Sequence, residues 1–276
     1  MFNIGERLQE MFLEWITSAI EMVVEFLQNT LLDYDGLAGM ALSAYDLFVY
    51  VGGLLVVTLA LAKVIQQLLS EAEGSQEANI WFTIVNSLKA GGLIVLMPFV
   101  ISVTMNGIVQ PISSYFIDQM GVLTVSNIES ALNAESMPDI FSEGLNQVIL
   151  MLFLLVVIGF YAFKLFVSQA QILILEILSP IVAVSVVSED FDFMDNWWRD
   201  LLSHTLTIIV LTLCMALFTE ALTMDTDTIW GKLPFLIGSG ALVLGGPSLL
   251  KSIWFSSGAG RAGGGVARTL MYRFIR

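Results

Sequence analysis

The sequence predicts an all-α polytopic membrane protein: an N-terminal amphipathic helix followed by about five transmembrane helices, six if one ambiguous segment also crosses. Two observations carry this reading. Ala90–Val109 and Leu145–Phe163 are long, apolar and uncharged, each about the length a helix needs to cross roughly 30 Å of hydrocarbon. In addition, 57% of the 276 residues are hydrophobic and only 13% are charged, with a mean hydropathy of +0.83, whereas a soluble domain carries about 25% charge. The apolar runs are continuous rather than alternating, which is not the pattern of barrel strands. Lipid offers the backbone no hydrogen-bond partner, so helices remain.

The first element is amphipathic. Asn3, Arg7, Glu10, Glu14, Thr17, Glu21, Glu25 and Gln28 recur at three-, four- and seven-residue steps. On a helix they form one polar stripe beside a wide apolar face that includes Leu8, Met11, Phe12, Trp15 and Ile16. The helix covers residues 1–34 and is broken by Asp33, Asp35 and Gly36. Its acidic polar face disfavours plain adhesion to anionic lipid, which selects Lys and Arg. It either lies at the interface, packed on the spans, or meets a partner. No basic region followed by a short apolar core opens the chain, so no cleaved signal peptide is expected.

The membrane domain is expected over residues 41–250, with spans at about 47–62, 90–109, 145–163, 201–219 and 233–250. Ser70–Asn79 is a polar loop. Pro111 is expected to close the second span. Ser113–Gly144 holds Asp118, Glu129, Glu135, Asp139 and Glu143 but no Lys or Arg. Leu165–Val187 is apolar but interrupted by Gln169, Gln171, Glu176 and Pro180. It is expected to prolong the third helix and then fold back as an elbow, broken at Pro180, because proline removes a backbone donor and clashes with the preceding turn. Residues 251–276 form a Gly- and Arg-rich tail.

Orientation follows from the basic residues. With the N-terminus outside and the elbow not crossing, Lys63, Lys89, Lys164, Arg199, Lys251, Arg261, Arg268, Arg273 and Arg276 are cytoplasmic, and only Arg7 and Lys232 lie outside. A sixth crossing weakens that bias. Five spans, N-out and C-in, is therefore the expected arrangement.

Composition also excludes functions. A net charge of −14 argues against a general nucleic-acid surface. Cys214 is the only cysteine and His204 the only histidine, which rules out an internal disulfide and the usual zinc cages. No HExxH, GxSxG or paired-carboxylate pattern appears, so the sequence predicts no enzyme and no cofactor. Gly258, Gly260 and Gly263 match GxGxxG, but no strand precedes them, and the stretch reads as a hinge.

Several residues are candidates for function. Glu176 is the one carboxylate deep in an apolar stretch, suited to ion or proton handling, to structural pairing, or to lining a pore. His204 sits one turn inside a span, either as a proton relay or as a hydrogen-bonded structural group held by Asp200 on the same face. Trp197, Trp198 and Arg199 stand directly before a span and read as interfacial anchors. Glu189, Asp190, Asp192 and Asp195 form an acidic loop that could dock a basic surface. Gly238, Gly240, Ala241, Gly245 and Gly246 make the last span rich in small residues, and the pair Ala241 and Gly245 permits close helix approach within or between chains. Arg268, Arg273 and Arg276 would meet anionic lipid or a cytoplasmic protein.

The layout resembles the TrbL-like polytopic subunit of type IV secretion and conjugation machines. The local match is Ile177-Leu178-Ser179-Pro180-Ile181-Val182-Ala183, followed at Trp197–Leu202 by a Trp-containing span start. The resemblance covers most of the chain as architecture and about thirty residues as motif. It implies a structural channel component of the bacterial cytoplasmic membrane. Such a subunit assembles as a homo-oligomeric ring, works beside other secretion membrane subunits and an energising ATPase, and transiently contacts a single-stranded DNA–protein complex or a protein in transit. The alternative is a stand-alone secondary transporter or ion channel, which predicts inverted repeats and mid-membrane charge pairs. Neither is visible in the sequence.

Overall fold

Apolar composition and the lack of backbone partners in lipid leave one kind of element throughout. The structure, a computed structural model, describes residues 36–74, 79–119, 143–187, 193–224 and 229–245, preceded by Met11, Glu14, Trp15, Ser18, Ala19 and Met22, which are helical. The rest of the N-terminal amphipathic segment, most of Ser113–Gly144 and the whole of the tail lie outside the described residues. Among the described residues there is no strand. The elements are α1 (Gly39–Ala72), α2 (Ile80–Thr104), a π-turn (Met105–Val109), α3 (Gln110–Gln119), α4 (Glu143–Val184) closed by a 3-10 turn (Ser185–Val187), α5 (Phe193–Thr223) and α6 (Ile229–Gly245). Four helical stretches are long and apolar enough to cross a membrane: Gly39–Ala72, Ile80–Ile117, Leu152–Val187 and Phe193–Leu222. Leu233–Gly245 is a shorter apolar helix. The protein is thus an all-helical polytopic membrane protein, as its composition predicts.

The helices outrun the hydropathy windows. α1 has 34 residues and α4 has 42, about 51 and 63 Å at 1.5 Å per residue. α1 continues past Lys63 and stops only where Gly74 takes a φ of +70°, a left-handed conformation that a side chain disfavours. α2 starts at Asn79, whose side chain accepts the Phe82 amide at 3.2 Å and caps an orphan donor.

Pro111 does not close the second helix. The ladder widens just before it, with the Gln110 amide bonded to the Met105 carbonyl, and helix resumes as α3. A proline near the start of a helical segment forfeits little, and the π-turn absorbs the mismatch. Pro180 likewise lies inside α4, which runs on to Val184 without folding back. The carbonyl that Pro180 leaves without a donor, that of Glu176, accepts the Ser179 hydroxyl at 2.7 Å. A local side-chain donor thus repairs the gap that favours a break.

α4 is the central helix, packed against α1, α2, α5 and α6. Its buried residues Leu154, Ile158, Tyr161, Leu165, Ser168, Ile172, Glu176, Ser179 and Ala183 follow each other at three- and four-residue steps, the spacing of helices packed at a shallow angle. α5 answers with Trp197, Leu201, Thr205, Ile208, Thr212, Met215, Thr219 and Leu222, all buried. The two run antiparallel. Phe153 meets Phe218 with ring centroids 6.1 Å apart, Tyr161 meets Thr212, and Leu175 meets Trp197.

Candidate functional site

Several buried polar residues of the spans, Tyr161 and Thr212 among them, lie along the seam where α4 meets its neighbours. In the middle of the seam the Tyr161 hydroxyl bonds the Thr212 Oγ1 at 3.3 Å, and Thr212 in turn donates to the Ile208 carbonyl at 2.8 Å. Thr205, Thr212 and Thr219 are spaced by seven residues and buried, so they share one face of α5. Thr219 donates to the Ala216 carbonyl at 2.7 Å. The Thr205 Oγ1 is buried with no hydrogen-bond partner. The antiparallel register places it opposite Ser168. In hydrocarbon an inter-helix hydroxyl pair such as Tyr161 and Thr212 helps to hold two helices together.

Lys164 marks a second point. Its Nζ donates to the Val243 carbonyl at 2.8 Å and to the Leu244 carbonyl. These are among the last carbonyls described in α6, the end where a helix carries partial negative charge and unpaired acceptors. Expected from the sequence only as a flanking charge, this lysine is a strap between α4 and the end of α6.

The third point gathers around one turn of α4, Leu175–Pro180. Glu176 is 4% exposed. A Cβ placed on Gly36 would stand 4.0 Å from its Oε1, and Tyr45 lies within electrostatic reach. Tyr45 itself donates to the Ile94 carbonyl at 3.0 Å, tying α1 to α2. Gly52 of α1 comes so close that a Cβ there would sit 3.1 Å from the Pro180 carbonyl oxygen. From α5, Trp197 Nε1 donates to the Leu175 carbonyl at 3.0 Å.

The structure therefore brings Glu176, Pro180 and Trp197 together. Trp198 is partly exposed and meets Trp197 edge-on at 5.0 Å. Arg199 is exposed and His204 half-buried. Gly238, Ala241 and Gly245 are exposed on α6, with open space around Gly238 and Gly245. The close approach of α6 is made instead at Gly240, where a Cβ would meet Phe153 Cζ at 2.9 Å and Phe218 Cε2 at 3.3 Å. Arg268, Arg273 and Arg276 lie outside the described residues, as do Glu189, Asp190 and Asp192 of the acidic loop.

Sequence reasoning missed Tyr161, Thr212 and Gly52, and it named Ser179 and Gly240 without the bond and the close approach they make. The seven-residue spacing of Thr205, Thr212 and Thr219 is a readable signal for the seam. The glycines carry none until their neighbours are known. Among the described residues no three His, Cys, Asp or Glu side chains gather where they could share a metal ion. The site's chemistry is hydrogen bonding between helices, with one buried carboxylate and one strapping lysine.

A model of the family described as conjugal transfer protein TrbL matches residues 2–275. No curated protein and no solved structure matches the chain.

Proposed function

The chain belongs to the conjugal transfer protein TrbL family, and on that premise we propose that it is a structural, non-catalytic channel subunit of a type IV secretion machine. It helps to form the path by which a DNA–protein or protein substrate crosses the bacterial cytoplasmic membrane. Copies of the chain associate with one another, with other secretion membrane subunits and with an ATPase, and the termini are arranged N-out and C-in. One observation carries this choice over a stand-alone transporter or ion channel. The polar groups at the middle of the α4 seam are engaged in helix–helix bonds, Tyr161 with Thr212 and Lys164 with the end of α6. A solute site at mid-membrane needs such groups turned toward a cavity.

Gentle detergent extraction, mass measurement and identification of co-purifying proteins test the proposal. The expected result is an oligomer carrying other secretion components. A bare monomer that moves a small solute in liposomes overturns it. Orientation is checked by single-cysteine labels at Ser126 and Ser257 in a background lacking Cys214. Ser126 should label from outside and Ser257 only after access to the cytoplasmic face.

A further inference from the structure

We propose that the turn Leu175–Pro180 of α4 is a hinge, held closed by Trp197. Three separate features meet there. First, Pro180 has no amide hydrogen, so the helical ladder lacks its bond to the Glu176 carbonyl, and the Ser179 hydroxyl donates there at 2.7 Å. Helices bend at such points. Second, the neighbouring carbonyl, that of Leu175, takes a donor from another helix, the Trp197 indole, at 3.0 Å. That bond pins the turn to α5. Third, α1 seats its Gly52 backbone directly on Pro180, where a Cβ would come within 3.1 Å of the Pro180 carbonyl oxygen. Beyond the turn, α4 has only one more turn before the 3-10 segment Ser185–Val187, and α5 starts at Phe193. A bend at Pro180 therefore moves the end of α4, and opening the Trp197 bond frees the first turn of α5 from Leu175. Trp198, edge-on to Trp197 and partly exposed, links the outer surface of that first turn to the latch. This device belongs to the fold and holds for any substrate.

Amide hydrogen exchange on the full chain in lipid nanodiscs tests it, comparing segment 172–187 with segment 150–165. Trp197→Phe keeps the ring and deletes the donor. Exchange in 172–187 should rise about fivefold, the loss of one ordinary hydrogen bond, with 150–165 unchanged. Thr212→Val, which removes a bond elsewhere on the same seam, should leave 172–187 unchanged. Pro180→Ala restores the missing amide, and the double variant with Trp197→Phe should return 172–187 to within about twofold of wild type, the spread expected from one restored bond. Should Trp197→Phe fail to fold, Ser179→Ala, which strips the Glu176 carbonyl of its hydroxyl, should give the same local rise. Equal exchange in Trp197→Phe and Thr212→Val, or a double variant as fast as Trp197→Phe alone, overturns the hinge.

Discussion

Gly52 and Gly53 are adjacent in α1, yet only one of them touches another helix, and that contrast isolates a packing energy. A Cβ on Gly52 would lie 3.1 Å from the Pro180 oxygen and 3.4 Å from its carbonyl carbon, whereas a Cβ on Gly53 meets nothing within 4 Å. Ordinary contact begins at 3.4 Å, and the obstructing atoms are backbone, so α1 itself has to move off α4 by a few tenths of an ångström. Gly→Ala in a helix interior gains about 1 kcal/mol at either position, and that gain cancels in the comparison. Overpacking costs roughly 1–3 kcal/mol and falls on Gly52 alone. Gly53→Ala should therefore raise stability, while Gly52→Ala should be neutral or destabilised by up to about 2 kcal/mol, the difference of those two magnitudes. At about 2–4 °C per kcal/mol for a chain near this size, the two variants should separate by several degrees. Cys214, the only cysteine, is half-buried, so a thiol-reactive dye reports unfolding in detergent. Equal stabilisation by the two alanines refutes the close contact between α1 and Pro180.

Lys164→Met removes charged donors from the end of α6 and should destabilise by about 1.5–3 kcal/mol. Lys164→Arg should recover part of it, and a cysteine at position 245 in a chain lacking Cys214 should label faster in the Met variant. A double-mutant cycle with Tyr161→Phe and Thr212→Val, read by the same unfolding assay, should give a coupling near 0.6 kcal/mol and no more than about 1.7. A coupling of zero means the hydroxyl pair contributes no attraction.

Much of the fold is legible from hydropathy because lipid imposes one rule on every span. The same rule explains where legibility stops. A hydropathy window sees residues that suit hydrocarbon, so it ends α1 at Lys63, although the helix continues with Gln66, Gln67 and Glu71 to Ala72. Proline reads as a break when taken alone. At Pro180 the outcome depends on Ser179 and on Trp197, which bonds the Leu175 carbonyl 22 residues before it, and at Pro111 on a widened turn upstream. Glu176 and Trp197 stand out individually, but their meeting on one turn depends on the antiparallel register of α4 and α5. On α6 the count of small residues is visible, whereas the choice of Gly240 for close packing follows from which face Phe153 and Phe218 occupy.

Two contacts on the central helix have a mechanical consequence. α1 rests on α4 at Pro180, and α6 rests on it at Phe153 and Val157, stations some 35–40 Å apart at 1.5 Å per residue. The oily slab is only about 30 Å deep. A helix whose contacts are spread over more than that depth must either tilt or carry some of them past the slab.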